Sequence, residues 1–193
     1  MKPMTKCVSI LAITFAMTLQ GCVVAVGAAG AVAAKVANDR RTVGTQLDDQ
    51  NADSAVAFQW SKSDALKEQA NLQVDVYNGV ALLTGQAPNQ ALIDEAVERA
   101  QNVDYLKKIH NQVRVASPIG AGTQANDIWL ASKVRTKLVA DERVPALQVR
   151  VVVQDSEVFL MGRLSSLEAT AAVDIARNVT GVARVVRAFE INQ

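Results

Sequence analysis

Hydrophobic and polar positions follow the same order twice along this chain. In "VRVVVQDSEVFLMGRL", residues 149–164, β-branched side chains alternate at Val149, Val151 and Val153, a polar tetrad interrupts them at 154–157, and "VFLMG" resumes the apolar run. Alternation, a polar break and a returning apolar run predict a β-hairpin. Upstream, Leu130, Val134 and Leu138 recur at the spacing of one helix face. Downstream, Ser165 or Ser166 can cap a second helix with Leu167, Ala171, Ile175 and Val179 as its apolar stripe. Gly181 then stands where a helix stops, and "VARVVRAFEI" reads as a last strand. A strand, helix, strand passage requires a parallel neighbour reached by a right-handed crossover, so the unit is αββαβ.

The first copy lies upstream. "VYNGVALLTGQ", residues 76–86, lies over "VQDSEVFLMGR", residues 153–163, with Gly85 on Gly162. "AVERAQNVDYLKKIHNQVRV", residues 96–115, lies over residues 172–191 one residue out of that offset, as an indel between strand and helix would leave it. Ala52, Val56 and Trp60 take the opening helix positions, so Trp60 stands where the second copy has Leu138 and reads as core. Asn78-Gly79 is a strong hairpin-turn signal. The fold expected is α+β: two tandem domains, residues 46–115 and 124–193, each with two helices packed on one face of a three-stranded mixed sheet. The uncharged "ASPIGAGT", residues 116–123, reads as the linker between them.

The N-terminus adds an address. Lys2 and Lys6 precede an apolar run from Val8 to Leu19 that ends in "LQGC", the order of parts of a secretory signal. The run is shorter than the about 20 residues a bilayer-spanning helix needs. "LQGC" resembles a bacterial lipobox, which implies cleavage after residue 21 and lipidation of Cys22. Residues 22–45 would then be the acylated cysteine and a Gly/Ala-rich tether. Cys7 falls in the removed segment, so the mature chain keeps one cysteine and no internal disulfide. Val23 after the cysteine, in place of Asp, implies passage to the outer membrane.

Charge and chemistry exclude more than they suggest. Without the signal the chain has 18 basic and 19 acidic residues, so general nucleic-acid affinity is not expected. The halves differ in sign: residues 46–115 carry six basic against ten acidic side chains, residues 124–193 nine against eight. His110 is the single histidine, and strand alternation sets it with Lys108 and Gln112 as a solvated residue. With no second histidine or mature thiol, neither a nucleophilic triad nor a zinc site is expected. Asp48, Asp49, Asp94, Glu95 and Glu98 read mostly as structural acids of loops or helix starts. No glycine loop suited to phosphate appears. No catalytic residue, metal or cofactor is expected, and the chain does not read as an enzyme.

"NDIWLASKVRTKL", residues 126–138, remains. With Asn126 or Asp127 as cap, Trp129 is rotated about 100° from Leu130, away from the apolar stripe. Lys133 follows one turn later, with Arg135 and Lys137 beyond. Two readings stand: Trp129 packs at a core margin or domain contact, or the indole and the lysines with Ile128 form a membrane-interface surface.

Leu83-Thr84-Gly85, Leu160-Met161-Gly162 and Gly181-Val182 resemble the hallmarks of the BON domain, an αββαβ periplasmic module. Tyr105 departs from the pattern where a glycine would end the first copy's second helix. Taken in order, the signal, the lipobox, "TVGTQLDD", "PIG", "NDIW" and "VFLMG" resemble the dual-BON outer-membrane lipoproteins of Gram-negative bacteria. That resemblance implies anchoring on the periplasmic face, and binding of anionic phospholipid (phosphatidylglycerol, cardiolipin) through Ile128, Trp129, Lys133, Arg135 and Lys137. It also implies a role in envelope integrity with enrichment at the division septum. The competing expectation is an interaction adaptor for outer-membrane protein assembly machinery or amidase activation. It would use the acidic first domain or an exposed sheet edge, and only the acyl anchor would touch lipid.

Overall fold

The computed structural model describes residues 41–192; the signal segment, Cys22 and most of the tether lie outside the described residues. The first repeat runs α1 (Val43–Ser61), α2 (Asp64–Gln69), β1 (Asn71–Tyr77), β2 (Val80–Ala87), α3 (Gln90–Gln101) and β3 (Lys108–Val115). The second runs α4 (Ala121–Val139), a 3-10 turn (Ala146–Gln148), β4 (Arg150–Gln154), β5 (Glu157–Leu164), α5 (Ser166–Arg177) and β6 (Arg184–Ile191). Each sheet has three strands, the first pair antiparallel and the second parallel. This is the expected tandem α+β architecture, with a short extra helix, α2, in the first copy.

The opening helices bury the residues their spacing selects. Leu130, Val134 and Leu138 are fully buried on α4, and Ala52, Val56 and Trp60 are buried on α1. The Trp60 indole N–H donates to the Ala96 carbonyl at 2.8 Å, so the ring fastens α1 to α3 and its one polar atom is satisfied. Ser165 caps α5 in a reciprocal box with Glu168.

Three expectations need correction. Neither Asn126 nor Asp127 caps α4, which begins at Ala121 and so takes in the end of the linker; Asp127 lies inside the helix and is buried. Leu167 is not part of the α5 stripe and is exposed. The buried residues of α5 are Ala169, Ala171, Ala172, Val173 and Ala176, because a helix lying close on a sheet favours small side chains there. Asp49 is no solvated helix-start acid, since it is 2% exposed.

The buried acids hold the hairpins. Asp127 accepts the amide N–H groups of Asp155 (2.7 Å) and Ser156 (2.9 Å), and Asp49 accepts those of Asn78 (2.7 Å) and Gly79 (2.9 Å). Each carboxylate therefore ties an opening helix to the turn of its own hairpin. Both turns have two consecutive positive-φ residues: Asn78-Gly79 in the first copy, and Asp155-Ser156, without glycine, in the second. At Tyr105 the first copy dispenses with a left-handed turn. The tyrosine packs on the domain core instead, and burial and its hydrogen bond to Asp49 push its pKa up to about 12.

The two sheets meet on the faces opposite their helices. Tyr77 and Leu82 of the first sheet share one buried cluster with Val152, Phe159, Met161 and Ala188 of the second. Polar contacts ring it: Arg150 to Asp75 at 2.6 Å, Asn78 to Glu190 at 2.6 Å, and Arg114 to Glu157. Each central strand is thus buried on both faces, as the unbroken apolar runs "VALL" and "VFLM" require.

Asp53 of α1 borders this contact. It accepts the Val76 amide at 2.6 Å, and Arg150 lies 3.6 Å away. Burial outweighs the arginine and raises its pKa to about 6. A carboxyl raised above its unfolded value of 3.8 contributes stability that is full below that value and lost as pH rises through about 6. The stability of Asp53→Asn relative to wild type is therefore expected to improve between pH 4 and pH 7.5. Thermal melts of both proteins across that range check it, and a pH-independent difference contradicts it.

Candidate functional site

The outer crest of α4 exposes large apolar side chains. Ile128 and Trp129 are 71% and 58% exposed, and Val139, three turns on, is 70% exposed. They lie outward because the helix turns 100° per residue and its opposite side is fixed by Leu130, Val134 and Leu138. Between them stand Ser132 and Thr136, which would make the crest polar if their hydroxyls faced water. Instead Ser132 Oγ donates to the Ile128 carbonyl (3.1 Å) and Thr136 Oγ1 to the Ser132 carbonyl (2.9 Å). Both hydroxyl donors are spent within the helix, so the crest is more apolar than its letters suggest.

Lys133 joins this crest. Its Nζ lies 4.1 Å from the Trp129 ring centroid and donates to the Thr180 carbonyl at 2.7 Å. The ammonium is thus held against the indole face by a backbone anchor in the loop after α5, an arrangement favourable to a cation–π contact. An ammonium has three N–H donors, so this one retains capacity for an oxygen ligand. Lys137 is exposed one turn further along.

Arg135 sits elsewhere. It lies on the opposite flank of α4, and its guanidinium donates to the Val151 carbonyl of β4 at 2.8 Å. Of the five residues expected at the site, the structure brings Ile128, Trp129 and Lys133 together, extends them with Lys137, and turns Arg135 toward the sheet edge. Sequence reading missed Val139 and the back-bonded hydroxyls. Their signal was present, since residues 128, 132, 136 and 139 fall on one side of a helical wheel.

The first copy supplies an internal comparison. Counting from the aligned Val56 and Val134, the α1 counterparts of Ile128, Trp129 and Lys133 are Gln50, Asn51 and Ala55. Phe58 is 61% exposed on α1 with Lys62 Nζ 4.5 Å from its ring centroid, and Val43 and Leu47 are exposed nearer the start of the same helix. His110 is half-buried on β3, and desolvation together with Lys108 lowers its pKa. Among the described residues no three His, Cys, Asp or Glu side chains converge as a metal site would need, and no helix is long and apolar enough to cross a membrane.

Comparison with known proteins gives two matches to one family model, the BON domain, at residues 48–117 and 126–193. The chain is 38% identical over 190 residues to "Outer membrane lipoprotein DolP" of Haemophilus influenzae, covering 98% of this chain and 97% of that one. It is 39% identical over 155 residues to "21 kDa hemolysin" of Actinobacillus pleuropneumoniae, covering 80% of each. "Osmotically-inducible protein Y" of Escherichia coli is 30% identical over 154 residues, 78% of this chain and 76% of that one. Among solved structures, the C-terminal domain of CdsD, a structural protein of the type III secretion system of Chlamydia trachomatis, matches with TM-score 0.31 and 11% identity over 72% of this chain and 96% of its own.

Proposed function

Starting from the fact that this chain belongs to the BON-domain family and carries the domain twice, we propose that it is an outer-membrane lipoprotein, acylated at Cys22 on the periplasmic face, whose second domain binds anionic phospholipid through α4. The observation that carries this reading is the exposed Trp129 ring with the Lys133 ammonium 4.1 Å from its centroid. An indole with an adjoining isoleucine suits the headgroup boundary, where the ring is part apolar and part wet. Fully burying an aliphatic side chain such as Ile128 contributes roughly 1.5–3 kcal/mol. Each basic residue near an anionic surface adds about 1 kcal/mol, so Lys133 and Lys137 favour phosphatidylglycerol or cardiolipin over a zwitterionic lipid. Arg135 adds charge from the other flank while bonded to β4. A weak contact is enough, because acylation already holds the domain near the bilayer at high effective concentration. Headgroup preference would then concentrate the protein where anionic lipid is enriched, which is how a septal role in envelope integrity would arise.

Flotation of residues 41–193, which lack the acylated cysteine, tests this. Wild type is expected to float with vesicles containing phosphatidylglycerol and not with phosphatidylcholine alone. Trp129→Glu, folded by circular dichroism, should partition at least about ten-fold less, since placing a charge at the interface forfeits more than 1.4 kcal/mol. Equal flotation of the two proteins overturns the reading.

A further inference from the structure

The two copies treat their first sheet edge differently. β4 is an edge strand of its sheet, and Arg135 caps its outward Val151 carbonyl at 2.8 Å. In the first copy the edge strand is β1, and the residue one after Val56, in the place of Arg135, is Ala57. Residues of an antiparallel strand alternate between bonding their partner and pointing their N–H and C=O away from it. The Val76 N–H points away, because it is bonded to Asp53, and so by alternation the backbones of Val74 and Leu72 point away as well. Among the described residues no side chain is hydrogen-bonded to the outward groups of Leu72 or Val74. An uncovered edge of this kind is a template for another strand, and proteins normally blunt it.

Beside this edge runs an open groove of about 520 Å³. Its apolar wall is formed by Ala57, Trp60, Leu66, Ala70, Leu72 and Val74; Ser54, Ser61 and the Asp53 carboxylate also line it, as does Lys67, which pairs with Asp64 at 3.6 Å. The apolar wall has room because Ala57 has no long side chain.

We propose that β1 and this groove form a peptide-docking site, which takes an extended segment of a partner protein as a fourth strand. The segment places an apolar side chain in the groove and, two residues along on the same face, a basic side chain against Asp53. The period of two follows from strand geometry. The acidic balance of this domain, ten acids against six bases over residues 46–115, attracts the basic residue. Burial leaves the Asp53 charge incompletely compensated by Arg150, so a second cation is favourable there. Main-chain bonds to Leu72 and Val74 supply affinity, and the groove and Asp53 supply selectivity, as in other β-strand additions. The site is separate from the α4 crest, and its test is independent of lipid.

The probe is an acetylated, amidated and fluorescently labelled heptapeptide, Thr-Val-Thr-Val-Thr-Arg-Thr, titrated into the full chain in a mild detergent and followed by polarisation. Saturable binding is expected. Ala57→Arg, which installs the second copy's own plug, should weaken it at least ten-fold with an unchanged melting midpoint and unchanged vesicle binding. A peptide with glutamate for arginine should bind several-fold more weakly. Hydrogen exchange should show new protection at the Leu72 and Val74 amides. Absence of saturable binding, or binding undiminished in Ala57→Arg, overturns the proposal. A dimer seen by sedimentation and abolished by Ala57→Arg also overturns it, in favour of a second copy on the same edge.

Discussion

Gly85→Ala is expected to destabilise the first domain by roughly 3 kcal/mol or more, the sum of about 1–3 kcal/mol for a strained backbone and the displacement of a neighbouring strand. Gly85 has φ +120°, and a Cβ built there would lie 1.9 Å from the Asn71 carbonyl oxygen of β1. No rotamer relieves that contact, because the backbone fixes where a Cβ lies and the oxygen it meets is itself backbone. The same substitution at Gly162, φ +153°, would bring the Cβ 2.3 Å from the Gln148 carbonyl oxygen, which lies just before β4 in a short turn better able to shift. Gly162→Ala is therefore expected to cost less. Thermal or urea melts of the two variants check the ranking, with a fall of roughly 10 °C or more expected for Gly85→Ala. This close approach also supplies a physical reason for the Leu-x-Gly signature at the end of each second strand.

Asp127→Ala should have the next largest effect, about 3 kcal/mol, because it removes the buried carboxylate that accepts from both turn amides. The turn it serves is demanding: Asp155 (φ 50°) and Ser156 (φ 62°) both sit in the left-handed region without glycine. The carboxylate holds a conformation that these residues disfavour. Ser156→Gly in the Asp127→Ala background should accordingly recover about 1 kcal/mol by relieving one strained position. Urea denaturation of the single and double variants measures both effects. If Asp127→Ala costs less than about 1 kcal/mol, the turn does not depend on the helix for its shape.

The fold was legible because its signals are periodic. The helix stripe of Leu130, Val134 and Leu138 and the Asn78-Gly79 turn each depend on local spacing, and the repeat doubled every reading. What escaped was long-range. Asp49 and Asp127 look like surface acids until the hairpin turn is folded against the helix, which makes burial profitable. Leu167 looks like core until the alanines of α5 prove to be the face close to the sheet. Burial of β2 and β5 on both faces also escaped, because the element that covers the second face is the other copy's sheet. At the candidate site, Trp129 and Lys133 were readable from helical spacing. The fate of Arg135 was not, because its partner, the Val151 carbonyl, is backbone in another element.

The most direct measurement of the lipid reading uses the two tryptophans. Trp60 is buried with its indole bonded to Ala96, whereas Trp129 is 58% exposed on the α4 crest. With vesicles containing brominated phosphatidylglycerol, residues 41–193 should show a blue-shifted and quenched emission. Trp129→Phe, which keeps only Trp60, should show neither. Quenching that persists in Trp129→Phe, or its absence from wild type at saturating lipid, would contradict insertion of the α4 crest into the bilayer interface.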